Sequence, residues 1–116
     1  MILDDIKTKL EELDSKVFYG MVDDSMRETV WNYTVFNRVK TSQNANKTGY
    51  SDTFAVHVIR ENFIPEELFE QYVDKMIEIP GMRLSGEGSY TYVQKPNTNT
   101  VVEMLSLEFV KPRKKP

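Results

Sequence analysis

The side chains that could carry acid–base or metal chemistry are few and far apart in this chain. The single histidine, His57, falls on the polar side of a predicted strand, and no cysteine or second histidine accompanies it. A metal site there would need the carboxylates of Glu103 and Glu108 to converge on the ring, which depends on strand register. We interpret His57 as a polar residue on a sheet surface.

Adjacent carboxylates are a second candidate, for glycoside or phosphoryl chemistry. They occur at Asp4-Asp5, Glu11-Glu12, Asp23-Asp24 and Glu66-Glu67. Catalytic carboxylate pairs need a cleft and a separation fixed by geometry, which adjacency in sequence does not supply. We interpret these pairs as helix starts, exposed helix faces and turns.

Signatures of nucleotide binding and nucleophilic catalysis are missing from the sequence. It has no GxxxxGKS or GxxxxGKT phosphate loop, no GxGxxG and no GxSxG. The GEG at 86–88 is too short to cradle phosphates and precedes a strand rather than a helix. Because there is no cysteine, a disulfide, a thiolate nucleophile and a zinc–thiolate site are all excluded. These absences favour a non-enzymatic function, although catalytic residues can also be scattered along a chain.

Charge is distributed unevenly along the chain. The formal net charge is −3, yet the last six residues, KPRKKP, hold four basic side chains. An acidic body is unusual for a dedicated nucleic-acid binder, which normally presents a basic face. We predict a disordered, solubilising basic tail over 111–116, and weak phosphate binding by this tail is the alternative. We assign four aromatic residues to core packing or a protein interface rather than to base stacking: Trp31, Tyr33, Tyr90 and Tyr92.

The apolar periodicity predicts two helices and about five strands. Residues 2–14 and 65–79 have helical spacing, and the second helix is bounded by Pro65 and by Pro80-Gly81. Predicted strands are 17–22, 29–40, 53–60, 89–95 and 100–110. Turns at 23–28 and 96–99 make two hairpins, and residues 41–52 form a long polar loop.

This order of elements predicts an α+β fold, with a mostly antiparallel sheet and both helices against one face. At 116 residues we expect a single domain over 1–110. The acidic N-terminus does not fit a signal peptide, and no stretch approaches the roughly 18 apolar residues of a membrane span. We therefore expect no membrane association.

The order and spacing of these elements resemble the tail-terminator and tail-completion proteins of long-tailed bacteriophages. The likeness covers nearly the whole chain, apart from the basic tail. Its carriers are the helix MILDDIKTKLEEL, the hairpin VFYG…VWNYTVFN, the loop TSQNANKTGYSD, the strand–helix step TFAVHVIRENFIPEELFEQYVDKM and the closing hairpin SYTYVQKPNTNTVVEMLSLEFVKP.

The resemblance implies a homo-oligomeric ring, commonly six-fold, that caps the tail tube, stops its polymerisation and joins the tail to the head. It implies tail-tube and head-completion (neck) proteins as partners, and a location in the virion after assembly in the bacterial host cytoplasm. It also implies no enzymatic activity and no cofactor. From the residues and the charge we predict no metal site and no specific nucleic-acid partner. We predict protein contacts in the polar loop and in the first turn, at Lys47, Tyr50, Asp52, Asp23, Asp24 and Arg27.

Three other functions are open at this point. Another neck protein, for head closure or head–tail joining, would share the pattern. A small ligand-binding regulatory α+β domain would use the sheet face or the helix 65–79 to shape a pocket. An enzyme resting on His57 and nearby carboxylates is the third.

Overall fold

Each of two helices is followed by three strands in the computed structural model, which describes residues 1–20, 31–43 and 48–114. Within these ranges the chain forms two helices and six strands. In chain order they are α1 (Ile2–Glu11), β1 (Val17–Tyr19), β2 (Tyr33–Gln43), β3 (Gly49–Glu61), α2 (Glu66–Ile77), β4 (Arg83–Leu84), β5 (Ser89–Gln94) and β6 (Val101–Lys114).

The strands form one sheet in the order β1-β2-β3-β6-β4, and β5 pairs with β6 beside β4. All pairings are antiparallel except that of β1 with β2. The predicted α+β fold with a mostly antiparallel sheet is therefore confirmed. The closing hairpin is also confirmed, because β5 pairs antiparallel with β6 and the amide of Lys95 donates to the carbonyl of Thr100.

The predicted first hairpin is wrong. β1 runs parallel to β2, with Val17 opposite Thr34 and Tyr19 opposite Phe36. A parallel pair needs a crossover of about a dozen residues or more, and the segment 20–32 is long enough to provide one. The turn predicted at 23–28 lies outside the described residues.

The predicted polar loop over 41–52 is also wrong for most of its length. β2 continues to Gln43 and β3 starts at Gly49, with Thr41 opposite Asp52 and Gln43 opposite Tyr50. Apolar alternation marks a strand only when one face is buried, and here β2 is exposed from Arg38 onward. Paired strands therefore carried a sequence typical of a loop.

The predicted disorder of the basic tail is wrong for Lys111–Lys114, while residues 115 and 116 lie outside the described part. This segment continues β6 and pairs with β3, Lys111 opposite Asp52 and Lys114 opposite Gly49. Pro112 is tolerated because β6 is an edge strand beyond Val110, where its pairing with β4 ends.

The main core lies between the helices and one face of the sheet. It is formed by buried side chains from both helices, three strands and the loops around α2: Ile6, Leu10, Phe36, Phe54, Val56, Val58, Ile64, Tyr72, Met76, Ile79, Met82, Leu105, Leu107 and Phe109. A smaller cluster of Val35, Ile59 and Val102 lies on the opposite face. The larger cluster holds both helices on one face, as predicted.

A polar network crosses one end of this core. Oδ2 of Asp14 accepts from Nη2 of Arg60 at 3.0 Å and from Oγ1 of Thr34 at 2.9 Å. The Thr34 hydroxyl lies 2.7 Å from the hydroxyl of Tyr72, whose pKa is raised by burial. The network therefore ties the segment after α1 to β2, β3 and α2.

Candidate functional site

The most distinctive feature of the fold is a three-stranded extension of the sheet, which we call the arm. It comprises residues 38–43 of β2, 49–53 of β3 and 111–114 of β6. The chain measures 52 Å along its longest axis against 29 and 24 Å across it. Most arm side chains are exposed or half-buried, so backbone pairing rather than a hydrophobic core holds the strands together.

One carboxylate connects all three strands of the arm. Oδ1 of Asp52 accepts from Oγ1 of Thr41 at 2.6 Å, and Oδ2 accepts from Nε of Arg113 at 2.7 Å. The guanidinium of Arg113 also lies over the ring of Tyr50, 4.8 Å from its centroid. The Asp52 side chain is only 18% exposed, so these contacts order the surface of the arm.

Gly49 allows the arm to close. A Cβ at this position would lie 2.5 Å from the carbonyl oxygen of Arg113 and 3.3 Å from the Cα of Lys114. Both atoms belong to the backbone, so no side-chain rotation relieves the contact. β3 and β6 approach this closely because residue 49 has no side chain.

The arm is strongly basic. It carries Arg38, Lys40, Lys111, Arg113 and Lys114 against a single acidic residue, Asp52. A concavity of about 200 Å³ lies at its base, and its lining includes Arg38, Lys40, Asp52 and Arg113 together with Ile2 of α1. The predicted tail and the predicted loop thus meet in one surface.

Two of the predicted contact residues, Tyr50 and Asp52, are brought together through Arg113. Lys47 lies outside the described residues, as do Asp23, Asp24 and Arg27. The sequence reasoning missed the other members of the surface, Thr41 and Arg113. The sequence signal for this contact was the opposite charge of Asp52 and Arg113. That signal indicates a contact only when the pairing of β3 with β6 is known.

A second exposed surface lies at the β5 edge. In the described part of the chain no strand pairs with its outer side, and every β5 residue is exposed. Tyr90, Tyr92 and Val93 are among the large exposed hydrophobic residues. Interaction with the Glu103 carboxylate raises the pKa of the Tyr92 phenol. An uncharged, exposed edge of this kind suits strand addition from another chain.

The hydrogen-bonding neighbour of His57 is a serine rather than a carboxylate. Its Nδ1 lies 2.8 Å from Oγ of Ser106, and burial lowers its pKa although the Glu108 carboxylate opposes the shift. Glu103 does not converge on it, because its Oε1 accepts from the Ile64 amide at 2.6 Å on the helix side of the sheet. The described residues hold no cluster of three or more metal-ligating side chains.

No helix within the described ranges is long and apolar enough to cross a membrane. No known family model matches the chain, and its sequence has no significant match among curated proteins.

Proposed function

We propose that this chain is a structural protein of a long-tailed bacteriophage or prophage, a tail terminator that forms a ring at the end of the tail tube. The ring stops tube polymerisation and joins the tail to the head. Its protomer works through its surfaces, without a catalytic residue or a cofactor. The observation that carries the proposal is the arm, an ordered and exposed extension of the sheet.

The arm gains little from burial within its own chain. Hydrophobic burial supplies roughly 25 cal/mol per Å² of apolar surface removed from water, and the arm's side chains are polar and mostly exposed. Small sheets generally need an apolar face or a packed helix for independent stability. A basic arm that is ordered without its own core suits a protein that buries this surface against another subunit.

The β5 edge, which lies along a different part of β6 from the arm, supports the same function. The arm and this edge give each protomer two different exposed surfaces. Two different surfaces on one protomer allow heterologous contacts, which generate rings when the rotation closes. Head-closure and head–tail joining proteins would use such contacts as well, so the binding partner separates them from a terminator.

A small ligand-binding regulatory domain is the alternative, and one concavity favours it. A groove of about 400 Å³ lies between α1 and the end of α2, lined by Asp5, Thr8, Lys9 and residues 78–80. Nζ of Lys9 already bonds to Oε1 of Glu78 at 2.8 Å within this groove. A polar ligand would have to replace that ion pair, which is why we rank assembly first.

Light scattering across a concentration series tests the proposed function. We expect a mass near six times the 13.6 kDa chain, and rings with a central opening in electron micrographs. Tyr50→Ala should reduce this mass, whereas the control Thr8→Ala, at an exposed position on α1, should not. A monomer or dimer at every concentration would contradict a self-assembling ring. Rings found on the ends of tail tubes would identify a terminator, and rings found on heads would identify another neck protein.

A further inference from the structure

Charge is segregated between the arm and the rest of the described chain. The arm holds five basic residues and one acidic residue. The rest of the described chain holds seven basic and fourteen acidic residues. The described body therefore has a net charge of −7 and the arm has a net charge of +4.

The arm's cations are largely unpaired. Arg113 bonds to Asp52, but within the described residues no carboxylate lies at ion-pair distance from the other four: Arg38, Lys40, Lys111 and Lys114. Three of these four side chains are exposed, and Lys111 is half-buried. They can contact an acidic partner without breaking an existing ion pair.

The outer face of α2 is complementary to the arm. Glu66, Glu67, Glu70 and Asp74 are all exposed, and their spacing of three and four residues places them on one stripe of the helix. None of them forms an ion pair with a described residue. The nearby Lys75 is engaged by Glu12 and Glu78 instead, so it does not neutralise the stripe.

The stripe begins at the end of the sheet opposite the arm, and α2 then runs toward the arm, since a Cβ at Gly81 would lie 3.7 Å from Cγ of Lys111. The Ile64 amide, just before α2, bonds to Glu103 near the start of β6, whereas the arm begins at Lys111. Eight residues of strand separate Glu103 from Lys111, about 27 Å at 3.4 Å per residue. An arm therefore cannot contact Glu66 or Glu67 in its own chain, and none of the four stripe carboxylates forms an ion pair with a described arm residue. A contact between the arm and the whole stripe thus joins two copies.

We propose that copies of this chain associate head to tail, with the basic arm of one docked on the acidic outer face of α2 of the next. The inference rests on the proposed function and names the contact that builds the ring. A second copy fits the arm better than nucleic acid does, because the body behind the arm is acidic and repels a polyanion. Each copy offers both members of the interface, so the contact is heterologous.

A charge-swap experiment tests this contact. The arm variant is Arg38→Glu with Lys40→Glu, and the stripe variant is Glu67→Lys with Glu70→Lys. Each variant alone changes the net charge of the arm from +4 to 0, or that of the stripe from −4 to 0, so we expect its self-association to be at least tenfold weaker than wild type at about 0.15 M salt. An equimolar mixture restores attraction at every contact of an alternating ring, and we expect association within threefold of wild type. Lys7→Glu with Lys16→Glu is the control, with the same change of charge at exposed positions outside the arm.

The results of the charge-swap experiment distinguish a failure of the head-to-tail contact from a failure of the proposed ring. If both variants associate as wild type does, or the mixture fails to associate although both variants fold by circular dichroism, the head-to-tail contact is wrong. Wild-type rings formed in that case would leave the proposed function standing. A wild-type chain that stays monomeric from about 0.05 M to 1 M salt would overturn the contact and the self-assembling ring together. If a short DNA duplex binds wild type more tightly than a second copy does, and the arm variant loses it, the arm binds nucleic acid and the contact is also overturned.

Discussion

Replacing Asp14 with alanine should destabilise the fold more than Asp52→Asn does in the arm. The Asp14 side chain is only 7% exposed and pairs with Arg60, which is 16% exposed. Oδ1 of Asp14 also accepts from the Lys16 amide at 3.0 Å, and Oδ2 accepts from Thr34. Asp14→Ala removes these acceptors and leaves the buried guanidinium without its counterion.

The expected loss of unfolding free energy depends on the hydrogen bonds that Arg60 retains. Breaking a buried ion pair by removing one partner costs roughly 3–5 kcal/mol. Nη1 of Arg60 still donates to the carbonyls of Ile59 at 2.8 Å and Tyr33 at 3.2 Å, which places the loss at the lower end of that range. We expect about 3 kcal/mol, a drop of about 12 °C in Tm for a chain of this size.

Urea and thermal denaturation measure this loss of stability. Glu11→Ala, at an exposed position of α1, is the matched control. The control should change the free energy of unfolding by less than about 0.5 kcal/mol. Combining Asp14→Ala with Arg60→Met should cost at least about 1 kcal/mol less than the sum of the two single changes. A loss below about 1 kcal/mol for Asp14→Ala, or additive single changes, would refute the network as a determinant of stability.

Three further predictions concern the arm and the opposite sheet face. Asp52→Asn weakens the bond to Arg113 at a partly exposed site, so it should cost less than about 1 kcal/mol of stability while reducing the mass measured by light scattering; a loss of fold would contradict it. Gly49→Ala should speed hydrogen exchange at 49–52 and 111–114 but not in the core strands, and uniform exchange across the sheet would count against a local effect. Burial lowers the pKa of His57 below its ordinary 6.5, so the unfolded chain binds more protons just below pH 6.5, and stability should fall from there down to the lowered pKa. His57→Gln should flatten that acid limb in denaturation measured against pH, and an unchanged limb would show that other groups cause it.

The elements with a buried face could be predicted from the sequence. Phe54, Val56 and Val58 alternate along β3 and do face the helices. The apolar face of α2, which includes Tyr72 and Met76, is buried on the sheet, as its spacing predicts. In these segments the hydrophobic pattern and the structure have the same cause, which is burial against one layer.

The arm could not be predicted in this way. Thr41, Ser42 and Gln43 have no apolar alternation, because neither face of the arm is covered by its own chain. Their strand state comes from pairing with residues 50–52, and those residues in turn pair with the tail about 60 positions away. The parallel position of β1 has a similar origin, because local sequence does not specify which neighbour a three-residue strand joins.

The network at Asp14 and the surface at Asp52 contain the same types of group, but the first stabilises the fold and the second is proposed to serve assembly. Both place a carboxylate between a hydroxyl and a guanidinium, with Thr34 and Arg60 in the first and Thr41 and Arg113 in the second. In the core an unpaired charge would cost several kcal/mol, so every member must be satisfied within the chain. On the arm an unpaired cation stays in water at almost no cost, which permits the free cations there. Stability and assembly are therefore expected to respond to different residues, and a charge change in the arm should alter which molecules associate without altering the fold that presents it.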